Sequence, residues 1–445
     1  MTKSSPVDKL IKILTHAKDP SPQNLSKYEI FIAGGYLGAT LTKNFSQKTH
    51  GHRTQFISFL DQKPANTVCR VPYEMKFFNR MSYFTEIKKV MCLSVAHCNG
   101  VGVKSIQPDR NLVTLNNGRE IEYGILVNAM GLNPDVNQVK GLQEAVDDRY
   151  CPVYSTFDSA ELGKPNGFVS LFTHGNAYIY IPPFEFSGEV ENYNFLVALE
   201  TWVNSVKAGV VSPRHHLTIV NANDRFAHKS DQLNDFINEE LSNYSNVTVI
   251  SNTRLTEIDK DSMKITLVDS NNIERREDFH SLYVHVPSSP NPALKDSGLM
   301  NENGLTMPVN PTTLQHPKYS NVFGVGDVCD LNIQKSFLAG IYQSHVVRHN
   351  ALQLLGGKTP NAEYKGNSEM NLYTGLARMA KYSESTEKGE KLETEHQKPR
   401  YRLNNIIAGK KLLNIFRGAN PGPPKNKLGY QKFPDGEALV KSEKA

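Results

Sequence analysis

Short apolar runs ending in glycine turns recur along the chain. The run Tyr28–Ala33 suits a buried parallel strand, because only a strand covered on both faces is apolar nearly throughout. It leads into Gly34-Gly35-Tyr36-Leu37-Gly38-Ala39, after which a helix is predicted to Phe45. Gln55–Leu60 reads as the next strand and ends at Asp61. Tyr123–Gly131 is a strand entering a glycine turn, and Phe168–Thr173 is a further strand. Ser320–Asp327 is a strand ending in Gly-x-Gly-Asp, and a helix is predicted over 336–355. Buried strands alternating with helices predict an α/β protein with parallel sheets. At the N-terminus, Val7, Leu10, Ile11, Ile13, Leu14 and Ala17 follow helical spacing opposite Lys9, Lys12 and Lys18. That is an amphipathic arm or an arginine-free presequence, and Asp19–Pro22 reads as its linker.

Composition narrows the class. At 445 residues, 39% hydrophobic and 21% charged, the chain is globular and long enough for several domains. Five cysteines (Cys69, Cys92, Cys98, Cys151, Cys329) are too scattered for a disulfide framework, and no CxxC pair exists. No apolar run is long enough for a transmembrane helix, and no secretory signal is recognised. An intracellular compartment is expected. The net charge of +5 is uneven: residues 398–432 carry nine Lys or Arg and no acid, so the remainder is negative. Leu403, Ile406, Ile407, Leu412, Leu413, Ile415 and Phe416 interleave with those cations, a pattern suited to a membrane surface. The plainer alternative is a solvated tail with a short packed helix. Nucleic acid is not an expected partner, since no stacking platform accompanies the charge.

Strand, glycine turn, helix, strand, acid is the order of a dinucleotide-binding unit. Gly34, Gly35 and Gly38 are the candidate phosphate-loop residues and Asp61 the candidate ribose ligand. Tyr36 stands where the motif has its middle glycine, so its side chain crowds the diphosphate position. Gly131 at the second glycine turn, with Gly326 and Asp327 at the start of the 336–355 helix, completes the candidate cofactor set. An aspartate there suits a ribityl hydroxyl, and the helix N-terminus faces a diphosphate.

Together these segments resemble the two-dinucleotide-binding-domain flavoproteins, and among them the sulfide:quinone oxidoreductase family. The resemblance rests on Tyr28–Ala39, Ile125–Ala145, Leu282–Ser297, Thr313–His316, Tyr319–Asp327, Lys335, Gln343, Tyr364–Gly366 and Thr374-Gly375. It implies two Rossmann-like FAD/NAD(P)-binding domains of the glutathione-reductase type. It also implies a C-terminal membrane-docking segment, FAD as cofactor, a quinone acceptor, and a peripheral place on the mitochondrial inner membrane. Tyr36 opposes FAD binding. The resemblance further implies two redox cysteines, and here the chain departs. Residues 176–191 contain no cysteine, and the second position falls on Met370. A thioether forms neither thiolate nor persulfide.

Cys151, Cys329 and Lys335 remain as weak catalytic candidates. Some bacterial members carry an extra cysteine near the place of Cys151, and a relay between Cys151 and Cys329 is conceivable. Buried free cysteines are, however, commonly small hydrophobes. Lys335 matches a family lysine near flavin and quinone, or is an ordinary helix-start lysine. The second domain lacks a glycine loop, and Pro182-Pro183 remove backbone donors, so no NAD(P)H binding is expected. No metal is expected, since His345 and His349 lack a third ligand.

The expected architecture is interleaved. An N-terminal arm covers 1–27, and an FAD-type domain covers 28–140 and returns over 300–375. A second Rossmann-like domain covers 141–299, and a basic docking segment and tail cover 376–445. Within that last segment Tyr382–Gln397 reads as an exposed loop, and the proline-bearing tail 419–445 as extended. Three functions fit: a non-catalytic accessory subunit of a membrane assembly such as the respiratory chain, an FAD-dependent quinone oxidoreductase with an altered electron donor, or a nucleotide or lipid sensor.

Overall fold

The computed structural model describes residues 26–34, 37, 38, 41, 54–57, 96–98, 102–148, 150–155, 175–184, 215–373 and 379–395. Residues 1–25 of the N-terminal arm, Asp61, the basic stretch Lys398–Lys432 and the tail lie outside them, and Ser26 and Lys27, assigned above to the arm, open the first strand.

The first sheet is built on Ser26–Gly34, which pairs in parallel with Thr54–Ile57 on one side and Glu120–Ala129 on the other. Ala96–Cys98 extends the first side. The long strand Glu120–Ala129 takes antiparallel Leu112–Leu115 along its first half and parallel Val322–Gly324 along its second. The chain therefore leaves this sheet, builds another, and returns. Ile30, Phe31, Ile32, Leu126, Val127 and Phe323 have no exposed surface, as continuous apolar strands covered on both faces require.

The second sheet is wholly parallel, in the order Val247–Ile250, Leu217–Asn221, Ala177–Ile181, Ser281–Val284, Val153–Ser155. The strand entering Pro182-Pro183 is Ala177–Ile181, buried at every position; the expected strand Phe168–Thr173 lies outside the described residues. Helix α1 (Leu142–Asp147) precedes this sheet, and helix α2 (Asp231–Ser242) packs Leu233, Phe236, Ile237 and Leu241 into its core. Ser230 caps α2 by accepting from the Leu233 N–H at 3.1 Å. Helix α3 (Phe337–Leu355) follows the returning strand and is capped by Ser336, which accepts from Ala339 N–H at 3.0 Å.

One expectation is overturned. Within Tyr382–Gln397 the residues to Glu395 are strands, not an exposed loop. Met379–Ser385 and Gly389–Glu395 form an antiparallel sheet with Ser368–Tyr373. Tyr382 is fully buried and Ala380 nearly so, while Lys391 and Glu393 face water. Charge on the solvent face of an alternating strand gives a loop-like composition, although the other face is core.

Candidate functional site

Three strand ends and two helix starts converge at one edge of the first sheet. Gly34 lies so close to Ala129 that a Cβ there would fall 2.3 Å from the Ala129 carbonyl oxygen, so only glycine lets the two strands end together. The chain then turns into a helix whose described residues begin at Leu37 and Gly38. Beside it, Val325 N–H donates to Asn128 O at 2.9 Å, which ties the returning strand to the same edge. A helical turn, Gly326–Val328, and α3 follow. Crevices at the carboxyl ends of parallel strands are where such folds bind ligands.

The crevice wall holds Gly326, Asp327, Cys329, Lys335 and Gln343. Burial pushes the Asp327 carboxyl upward, and the Lys335 ammonium pulls it back. Lys335 Nζ donates to the Asp327 main-chain oxygen at 2.8 Å. Gln343 Oε1 accepts from Gly326 N–H at 2.7 Å. Cys329 has no exposed surface, and burial pushes its thiol up to about 12, so it stays protonated near neutrality.

Leu37 packs beside this wall. A Cβ on Gly340 would meet Leu37 Cδ2 at 2.7 Å, and one on Gly326 would meet it at 2.9 Å. The leucine thus rests directly on two glycines, one on each side of the α3 start.

Polar contacts brace the crevice wall from outside. Lys229 Nζ donates to Leu331 O at 2.9 Å and to Ile333 O at 3.4 Å. Ser230 Oγ donates to Glu390 Oε2 at 2.6 Å. Glu384 accepts from Gln334 N–H and, at 3.1 Å, from Tyr382 O–H. Helix α2, the stretch 329–336 and the C-terminal sheet are thereby locked together. Burial raises the Glu384 carboxyl.

No protein-family model matches the chain. It is 27% identical over 292 residues to the mitochondrial sulfide:quinone oxidoreductase of Schizosaccharomyces pombe, a match covering 62% of this chain. The chain spans only 60% of that relative's length. It also superposes on the sulfide:quinone oxidoreductase of Aquifex aeolicus with a TM-score of 0.69 at 17% identity, over 88% of this chain and 92% of that one. By these matches the chain is similar to the sulfide:quinone oxidoreductases, from which it diverges. Its fold is the α/β FAD/NAD-binding fold. Another solved structure, the Tetrahymena thermophila mitochondrial ATP synthase F1Fo tetramer, contains a chain 34% identical to this one. That match has a TM-score of 0.75 and covers 89% of this chain and 95% of that chain.

Set against the sulfide:quinone oxidoreductase family, the divergence has a structural form. Met370, where the resemblance places the second cysteine, pairs with Tyr382 across two strands and is 4% exposed. It packs in one cluster with Leu233, Phe236, Leu372 and Tyr382. The position serves the core. Asn176–Phe184 carries no cysteine. Its proline turn is closed by Asn223, whose Nδ2 donates to Pro182 O at 3.0 Å and whose Oδ1 accepts from Phe184 N–H at 2.9 Å. That turn's donor is spent internally rather than offered to a phosphate.

The structure brings Gly34, Gly38, Gly326, Asp327, Cys329 and Lys335 to one edge of the molecule, while Gly35, Tyr36 and Asp61 lie outside the described residues. Gly131 takes φ +59° at the turn after its strand, with open space about its Cα. Cys151 and Cys329 are both buried, but in different clusters, the first with Leu142 and Val153 and the second with Met307 and Phe323. The Cys151–Cys329 relay has no support in this arrangement. His349 bonds Asn361 Oδ1 at 2.8 Å, and no three-ligand group occurs among the described residues. Sequence reasoning missed Leu37, Lys229, Glu384 and Asn223. Only Leu37 carried a signal, as a large apolar side chain inside a phosphate loop.

Proposed function

We propose that this chain is a non-catalytic subunit of a mitochondrial ATP synthase, a sulfide:quinone-oxidoreductase fold kept as a scaffold on the inner membrane. The near-full-length similarity to a chain within the Tetrahymena thermophila complex carries the reading. The absence of thiols where the resemblance places the two family cysteines agrees with it. In this reading FAD is not held, and the assembly is the ATP synthase rather than a respiratory-chain complex. The basic, apolar-studded stretch Lys398–Lys432 supplies the membrane or subunit contact. No helix among the described residues is long and apolar enough to cross a membrane.

The test is purification of the tagged chain from mitochondria in mild detergent, followed by native electrophoresis and an ATPase stain. Migration with the F1Fo band is expected. Migration as a free, yellow protein whose reduced flavin is reoxidised by a soluble quinone would refute the reading and favour the second one, an FAD-dependent quinone oxidoreductase with an altered electron donor. That alternative draws on Asp327, whose carboxylate receives no hydrogen bond from a described residue, beside Lys335. Deleting residues 398–432 is expected to weaken binding to anionic vesicles in a salt-sensitive way, which a flotation assay reads directly.

A further inference from the structure

We infer that the C-terminal hairpin, Met379–Ser385 with Gly389–Glu395, is a proton-linked latch between the two domains, with Glu384 and Glu390 as its hooks. The chain passes between the domains through a ribbon in which outgoing Leu132–Pro134 pairs with returning Ser288–Pro290, and Asp135 N–H donates to Pro287 O at 2.7 Å. The hairpin makes a second connection. Glu384 accepts from the Gln334 N–H, in the returning part of the first domain. Glu390 Oε2 accepts from the Ser230 hydroxyl at 2.6 Å, at the start of α2 in the second domain. Lys229 Nζ crosses the same seam to Leu331 O at 2.9 Å and Ile333 O at 3.4 Å.

The register of the hairpin makes this latch sensitive to protons. Glu384 lies directly opposite Glu390, so both carboxyls leave the sheet on one face, that of buried Tyr382. Like charges directly opposite across two strands repel. Both residues are half-buried, so water and salt screen that repulsion less than at an open surface. Lys229 faces Glu384 from the second domain and Tyr364 from the first, with Tyr382 and Glu390 on its own sheet. Burial pushes both phenols upward, so neither titrates near neutrality. Two carboxylates and one ammonium leave the seam one negative charge in excess, and a single proton neutralises it. Burial raises the Glu384 carboxyl and Glu390 adds to the rise, against its hydrogen bonds and Lys229. The protonated carboxyl keeps an oxygen for the Gln334 N–H. Opening the seam hydrates Glu384 and returns it to its ordinary range, so opening releases the proton. The latch is therefore firm at low pH and loosens as pH rises through the raised value. This goes beyond the subunit reading and does not depend on it.

The test is amide hydrogen exchange of the purified full-length chain from about pH 5 to about pH 8, corrected for the intrinsic pH dependence of exchange. It is read on peptides covering 329–336 and 225–236. Protection there is expected to fall at least about tenfold over the range, since each unit between the closed and open carboxyl is about tenfold in the opening equilibrium. Protection of the core strands Glu120–Ala129 and Leu217–Asn221 is expected to hold constant, which separates opening of the latch from unfolding. Glu384→Gln places an uncharged group at the hook and is expected to keep the low-pH protection throughout. Glu390→Gln removes the facing charge and is expected to shrink the fall, which keeps the test open should Glu384→Gln fold poorly. Protection at 329–336 that does not change with pH would overturn the inference, as would a fall shared equally by the two core strands. A fall undiminished by Glu384→Gln, or by Glu390→Gln, would overturn it too. Association with ATP synthase plays no part in these readings, so failure of the latch and failure of the subunit reading are distinguishable.

Discussion

Truncating Met370 measures whether the family's redox position has become part of the core. The side chain is 4% exposed and belongs to the core cluster that joins the C-terminal sheet to helix α2, with Leu233, Phe236, Leu372 and Tyr382. Met370→Ala removes the atoms that fill this seam. Burial of this kind loses about 2–5 kcal/mol on truncation, because transfer and cavity costs add. At about 2–4 °C per kcal/mol for a cooperative unit of this size, a mid-range loss of about 3 kcal/mol lowers the melting midpoint by about 6–12 °C. Circular dichroism melts of the purified chain read this. Met370→Cys loses less volume, so a smaller drop is expected, and its thiol is expected to resist maleimide in the native state. A midpoint unchanged by Met370→Ala, or rapid labelling of Met370→Cys, would refute the argument. It would mean that the seam is open and the position is still exposed as a redox group would be.

Other outcomes follow from the same contacts. Cys329, buried and pushed up to about 12, is expected to be inert to iodoacetamide at mildly alkaline pH until the protein is unfolded, as read by mass spectrometry. Glu384 has a carboxyl raised by burial above its ordinary 4.5. The folded state therefore binds the proton more tightly than the unfolded state, and stability falls as pH rises from about 4.5 through the raised value. Glu384→Gln is expected to flatten that decline in melts taken across the range. A steeper decline would place the carboxyl's burial in error. Ser230→Ala removes both the α2 cap and the donor to Glu390. It is expected to cost about 1–2 kcal/mol, read by denaturant unfolding, and a cost near zero would mean that the latch contributes nothing.

The strands at 28–33 and 320–324, the turn at Gly131, and helix α3 are legible from the chain alone. Each depends on apolar periodicity or glycine placement within a few residues. So is the loss of thiol at residue 370, which needs only the family's anchors on either side. The sheet at 379–395 was not legible, because its outward charges resemble a loop until Tyr382 and Ala380 are seen to have a core to enter. Nor could local pattern reveal what the loop's leucine packs against. Tyr36 is the conspicuous oddity in the phosphate loop, yet the side chain seated on Gly326 and Gly340 is Leu37, brought there by strands that return from distant parts of the chain. The Lys229 and Glu384 contacts depend on the same return. Secondary structure follows from torsional preference and periodicity over short spans, and the sequence by itself determined that much, with the fold class and the missing thiols. Whether a motif still presents a site depends on which side chains long-range packing presses into it, and only the tertiary structure decided that.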